Sequence, residues 1–217
     1  MAAVRADVFQ MPPLNAKPFS LPAIQTDILQ LMTNREKILK IISATPDTTD
    51  ETTSNLFGLT SAIKKKGFIS KDLGLKILKW KSPRPTKYYD KNSSIDFETI
   101  TKAAFQQKDE KIKIHILTAL TGVNYPAASA ILMFYDQTQY PVIDIRVWKQ
   151  LYKYGLLIEN SKGQSFTLHQ WDTYLNIVRQ IAEELSLTPR QVEKRLFDYD
   201  KKNQIGTLYK TAKVNIK

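Results

Sequence analysis

Apolar positions from residue 21 onward fall at helical spacing. Ile24, Ile28 and Leu31, then Ile38, Leu39, Ile41 and Ile42, recur three and four residues apart. Residues 45–53 are acidic and polar and read as a loop. Beyond them the pattern predicts a helix over 54–66, ended by Gly67, and another over 70–80, broken by Ser82-Pro83-Arg84-Pro85. Asp96 reads as the N-cap of a helix carrying Phe97, Ile100, Ala104 and Phe105. A short apolar helix over 111–120 stops at Thr121-Gly122-Val123-Asn124. The next runs from Tyr125 to Tyr135, and Pro126 suits its first turn. Residues 142–154 predict a further helix, 155–167 a loop or small hairpin, and 171–185 a strongly amphipathic helix. Thr188-Pro189-Arg190-Gln191 joins an N-cap, a proline at N1 and a glutamine at N3. This capping box opens a helix through Tyr199. From Ile205 the chain reads as one short strand or a basic tail. The expected fold is all-α, a compact bundle of roughly eight to ten helices in a single domain over 1–217. Residues 1–20, with Pro12, Pro13 and Pro18, read as an extended arm, and 201–217 as a basic C-terminal tail.

Composition narrows the chemistry. With 217 residues, 42% of them hydrophobic, the chain can build a packed core. It has no cysteine, which excludes disulfides, thiolate zinc sites, cysteine nucleophiles and cysteine-ligated iron–sulfur clusters. Seven glycines leave no glycine-rich phosphate loop, and two histidines, His115 and His169, argue against a histidine metal centre. No apolar run reaches membrane-spanning length and the start lacks a signal-peptide pattern, so a soluble, intracellular protein without a membrane partner is expected.

Charge then points to a partner. The formal net charge is +11. Residues 62–91 hold ten basic side chains against Asp72 and Asp90, and residues 201–217 hold five lysines and no acid; the rest is slightly acidic. Clustered positive charge is the footprint of a polyanion, most often nucleic acid. Pro83 and Pro85 interrupt the basic segment, which therefore is not one amphipathic membrane helix.

One segment carries a chemical signature. Residues 117–132 form helix, four-residue turn and helix, with Leu120-Thr121-Gly122-Val123-Asn124 leading into the small-residue run Ala127-Ala128-Ser129-Ala130. Such a turn aims backbone N–H groups and a helix N-terminus at an anion. The segment Val142-Ile143-Asp144-Ile145-Arg146-Val147 follows. Together these resemble the helix-hairpin-helix DNA glycosylase superfamily, in which an aspartate in a Val-Asp-Thr-(His/Arg)-Val context follows the hairpin by a fixed step. The close resemblance covers about residues 110–150. It places the hairpin at about 111–135 and implies two lobes around a cleft. Asn124 replaces the second hairpin glycine; as the non-glycine residue best suited to a left-handed backbone, it should preserve the turn. Pro126 stands where the lyase branch carries its lysine, which implies a monofunctional enzyme.

The resemblance implies hydrolysis of the N-glycosidic bond of a flipped, damaged or modified base in double-stranded DNA, leaving an abasic site. Asp144 is the expected catalytic carboxylate. Thr121, Gly122, Val123, Asn124 and Tyr125 of the hairpin, with Arg146, Lys81, Arg84 and Lys87, are the expected DNA-binding residues. Trp80, Tyr88 and Tyr89 are the aromatic candidates for the base pocket. A monomer is expected, with no metal site and no organic or redox cofactor, although the family allows a monovalent cation at hairpin carbonyls. The base stays open, a modified cytosine in foreign DNA included. The alternative is a non-catalytic helix-hairpin-helix DNA-binding protein, and the absence of a clustered Asp/Glu/His set argues against a nuclease. Bland roles compete at individual positions: Asp144 as a helix cap or paired acid, Arg146 as an ion-pair partner, His115 and His169 as structural residues. Lys64-Lys65-Lys66 reads as a solvated helix end, and Glu183, Glu184 and Glu193 as exposed helix positions.

Overall fold

The computed structural model describes residues 21–205 and residue 208. Among them all regular structure is helical, in eleven helices. The arm expected over 1–20 and nearly all of the tail beyond Ile205 lie outside the described residues. Lys201, Lys202 and Asn203, assigned to that tail from sequence, still belong to the last helix.

The long helix α1 (Leu21–Ala44) buries Ile38 and Ile42, whereas Ile28 stays half exposed. Helix α2 (Glu51–Thr60) starts earlier than its apolar spacing predicts, because the Asp50 carboxylate accepts the Thr53 N–H and closes the first turn. A break after Thr60 separates the four-residue α3 (Ile63–Lys66), ended by Gly67 in a left-handed conformation. Helix α4 (Lys71–Lys81) stops before Pro83, as the breaker segment predicts, and a short α5 (Thr86–Tyr89) that the sequence did not suggest follows directly after it. In α6 (Ser94–Phe105) the N-cap is Ser93 rather than Asp96; Asp96 sits at N3 and completes a capping box.

The expected hairpin is present as α7 (Glu110–Leu117), a turn, and α8 (Tyr125–Tyr135). Helix α9 (Ile145–Lys153) starts three residues later than expected, because residues 141–144 are not helical and Asp144, with an extended backbone, caps it. Residues 155–167 are turns and loop without a strand. Helices α10 (Leu168–Glu184) and α11 (Pro189–Asn203) both open with capping boxes, from Thr167 and Thr188.

The helices pack as two groups. One joins α2 and α4 to α8, with α6 and α7 alongside; the other sets α9, α10 and α1 around α11. Close approach inside the first group depends on Gly74, where a Cβ would lie 2.3 Å from the Phe97 ring. The groups meet where α10 packs on α7, and Trp148 of α9 with Trp171 and Tyr174 of α10 are each fully buried. No described helix is long and apolar enough to cross a membrane.

Candidate active site

The irregular stretch before α9 is held from two sides. The Ile143 N–H donates to the buried Ser129 hydroxyl of α8 (3.0 Å), and the buried Tyr174 hydroxyl donates to the Val142 carbonyl (2.9 Å). These bonds tie Asp144 to the hairpin helix and to α10. Its carboxylate is fixed in turn: Oδ1 accepts the Arg146 N–H at 2.9 Å, capping α9, and Oδ2 accepts from Lys81 Nζ at 2.7 Å. Both bland roles considered for Asp144 are thus real. Neither hides it, since its side chain is 18% exposed and lines two cavities.

The first cavity, about 360 Å³, lies against the hairpin. Lys81, Arg84, Tyr89, Asn124 and Pro126 line it, and the turn at Gly163 and Ser165 closes the far side. The N-termini of α8 and α9 both meet this space; that of α9 is taken by the Asp144 carboxylate, and that of α8 favours an anion.

The hairpin turn is shaped from within. Gly122 takes the left-handed conformation, with φ +84°. Asn124 does not; it is extended, with φ −105°, and its side chain accepts the Ala127 N–H as the N-cap of α8. Asparagine preserves the turn through its capping oxygen rather than through backbone freedom. The Thr121 N–H donates to the Asn92 side chain at 2.7 Å, and the Asn92 amide donates back to the Thr121 and Tyr89 carbonyls. The Val123 N–H is spent on the Leu120 carbonyl. Of the amides expected to face an anion, those of Thr121 and Val123 therefore hold the turn together. The buried Asn92 that clamps it carried no signal in the sequence, where it stood among polar loop residues.

The other candidates separate. Arg146 turns away from the first cavity: it donates to Asp200 at 2.9 Å and to Gln204, and its guanidinium lies over the Phe197 ring. It pins α9 to α11. Lys87 is exposed, with its ammonium 5.0 Å from the Tyr88 ring centroid. The expected aromatic pocket does not assemble. Tyr88 is 44% exposed, Tyr89 is buried beneath Gly122, and Trp80 lines the second cavity. Adjacent residues on α5 point some 100° apart, so Tyr88 and Tyr89 cannot share one face. His115 is exposed and bonds to the Tyr125 hydroxyl at 3.0 Å, whereas Lys64 of the basic run pairs with Asp136 at 2.6 Å.

The second cavity, about 530 Å³, opens between α4 and α11 on the opposite side of Asp144. Trp80, Val142 and Phe197 supply its apolar walls. Trp80 is fixed by a 3.0 Å bond from its indole N–H to Thr53 and by an edge-to-face contact with Phe134. The cations on the wall, Lys81, Arg190, Lys194 and Lys201, are matched by four carboxylates, Asp50, Asp144, Glu193 and Asp198.

Glu193, expected on an exposed helix face, is 2% exposed and pairs with Arg190 one turn earlier. Burial pushes the Glu193 carboxyl up, against the pull of Arg190 and Lys81. In the window from the ordinary glutamate range up to that raised value, the folded chain keeps a proton that the unfolded chain has released. Stability then falls as pH rises through the window. Glu193→Gln should flatten this fall in urea unfolding followed across acidic to neutral pH. Parallel pH profiles for the two chains would contradict the raised carboxyl.

Among the described residues no group of three His, Asp or Glu side chains is placed to hold a metal ion. Neither a protein-family model nor a curated protein matches the chain. A solved structure, that of Methanocaldococcus jannaschii 8-oxoguanine glycosylase/lyase in complex with a 15mer DNA containing 8-oxoguanine, is similar over 85% of this chain and 92% of that chain. The identity is 16% and the TM-score 0.45.

Proposed function

We propose that this protein is a monofunctional DNA glycosylase, which binds double-stranded DNA as a monomer and hydrolyses the N-glycosidic bond of a flipped base. The observation that carries the proposal is the placement of Asp144. A part-buried carboxylate, held in one orientation by the Arg146 N–H, faces a cavity framed by two helix N-termini and by Lys81 and Arg84. Cleavage of the bond builds positive charge on the deoxyribose, as in other glycoside hydrolyses. A fixed carboxylate beside C1′ stabilises that charge and accepts a proton from the attacking water. The hairpin N-terminus, Lys81, Arg84 and Lys87 hold the flanking phosphates, and no organic or redox cofactor takes part; a monovalent cation at the hairpin carbonyls is compatible with this scheme.

Pro126 on the hairpin helix has no amine, so the product is an intact abasic site. The test is incubation with DNAs carrying damaged, mismatched and hypermodified bases, scoring released bases by mass and trapping with borohydride. Free base without a trapped adduct is expected. An adduct mapping to Lys81, the amine beside Asp144, would replace water by that lysine as the nucleophile. No release from any substrate, with tight binding intact, would favour a DNA-binding protein in which Asp144 only caps α9 and pairs with Lys81.

A further inference from the structure

We infer that the cavity between α4 and α11 is the base-binding site, that Glu193 and Arg190 read the base from its floor, and that the base is neutral with an N–H donor beside an acceptor on its pairing edge. This rests on the glycosylase reading of Asp144. An N-glycosidic bond has the sugar–phosphate chain on one side and the base on the other. A carboxylate acting at that bond must therefore stand between two spaces of different character.

Asp144 does so. Of the residues lining the two cavities, Asp144 and Lys81 alone are common to both. The hairpin cavity has the helix N-termini and the character of a phosphate channel. The second cavity is larger, at about 530 against 360 Å³, and has what a flipped base needs. Trp80 and Phe197 give its wall apolar surface, and the Arg190 guanidinium lies over the Trp80 ring, 5.6 Å from its centroid. Glu193 and Arg190, both nearly buried, set an acceptor beside donors. Asp144 and Lys81 lie close enough to act electrostatically on Glu193, so this floor belongs to the same site as the carboxylate.

The pair also selects. Glu193 accepts from a ring or exocyclic N–H while Arg190 donates to the adjacent carbonyl or ring nitrogen, so the pair selects a base with an intact pairing edge, which uracil, thymine, guanine, cytosine and adenine all carry. Acids and cations balance on the cavity wall, so no net negative field draws in a cationic N-alkylated purine.

The experiment measures binding apart from chemistry. In an Asp144→Asn background, affinities are compared for duplexes identical except at one position. That position carries mispaired uracil, thymine, guanine or cytosine, 7-methylguanine, or a tetrahydrofuran without a base. At least one neutral base should bind about ten-fold or more tightly than both tetrahydrofuran and 7-methylguanine. Adding Glu193→Gln, or separately Phe197→Ala, should remove that preference and leave tetrahydrofuran binding unchanged, since the phosphate contacts lie in the other cavity. The inference fails if no neutral base is preferred, or if the preference survives both substitutions. Base release by the unsubstituted chain on the same duplexes tests the glycosylase reading separately: release that persists at full kcat/KM in Glu193→Gln and Phe197→Ala upholds the enzyme and overturns this cavity.

Discussion

Asp144→Asn is expected to slow base release roughly 10²–10⁴-fold, the range of a lost general base, while DNA affinity stays within a few-fold. The substitution separates the two jobs this side chain performs. Asparagine caps a helix about as well as aspartate, so the bond to the Arg146 N–H and the start of α9 survive. What disappears is the negative charge facing the first cavity, and with it the partner of Lys81. Asp144→Ala is the companion. It loses the cap as well, at a further cost of about 1 kcal/mol of stability. An Asn variant that keeps full base release would remove Asp144 from the chemistry. If instead the Asn variant melts well below the unsubstituted chain, the carboxylate's main work is structural, and the pair with Lys81 is the interaction at fault.

Gly122→Ala should be among the most damaging single changes in the hairpin, costing roughly 2–5 kcal/mol. Two effects add. An L residue with φ +84° pays about 1–2 kcal/mol for its left-handed backbone. The new Cβ would also stand 2.7 Å from the Tyr88 Cβ and 3.2 Å from the Tyr89 ring, an overpacking worth roughly 1–3 kcal/mol. Relief requires α5 to move off the turn, which opens the Asn92–Thr121 clamp. Urea unfolding should show the loss, and salt-dependent DNA binding should weaken with it. A variant of unchanged stability would mean that the turn finds another conformation. Unchanged stability with weakened DNA binding would mean that the glycine serves contact with the backbone rather than the fold.

The hairpin, the aspartate after it and most helix boundaries could be found in the linear chain because they depend on neighbours in sequence. A capping box such as Thr188 with Gln191 is complete within four residues. The small side chains at Ala127, Ala128 and Ser129 announced a close approach, although not that the Ser129 hydroxyl would hold the Ile143 N–H. Errors at Asp96 and Val142 were shifts of three residues within correctly placed helices. The Asn124 turn survived by a mechanism other than the expected one, because a capping oxygen and a tolerant backbone are properties of the same residue type.

The failures concern which face meets which partner. Arg146 has the charge to grip phosphate, but Asp200 and Gln204, more than fifty residues on, take it. Glu193 looks like a solvated acid until α11 packs against α9 and α10, where it is buried with Arg190. Tyr88 and Tyr89 flank a basic segment in sequence, yet the turn of α5 sends one to solvent and the other under the hairpin.

By itself, then, the sequence determined the all-helical class, the hairpin, the position of Asp144 and the chemistries excluded by the absence of cysteine. Periodicity, capping and composition act over a few residues and need no knowledge of the rest. Only the tertiary structure decided that Asp144 stands between two cavities, that Lys81 meets it from α4, and that Trp80, Phe197, Arg190 and Glu193 converge on its far side. Those placements bring together residues far apart in the chain, as Lys81 with Asp144 and Trp80 with Arg190 show. Their formation depends on how helices cross, and no local pattern encodes that.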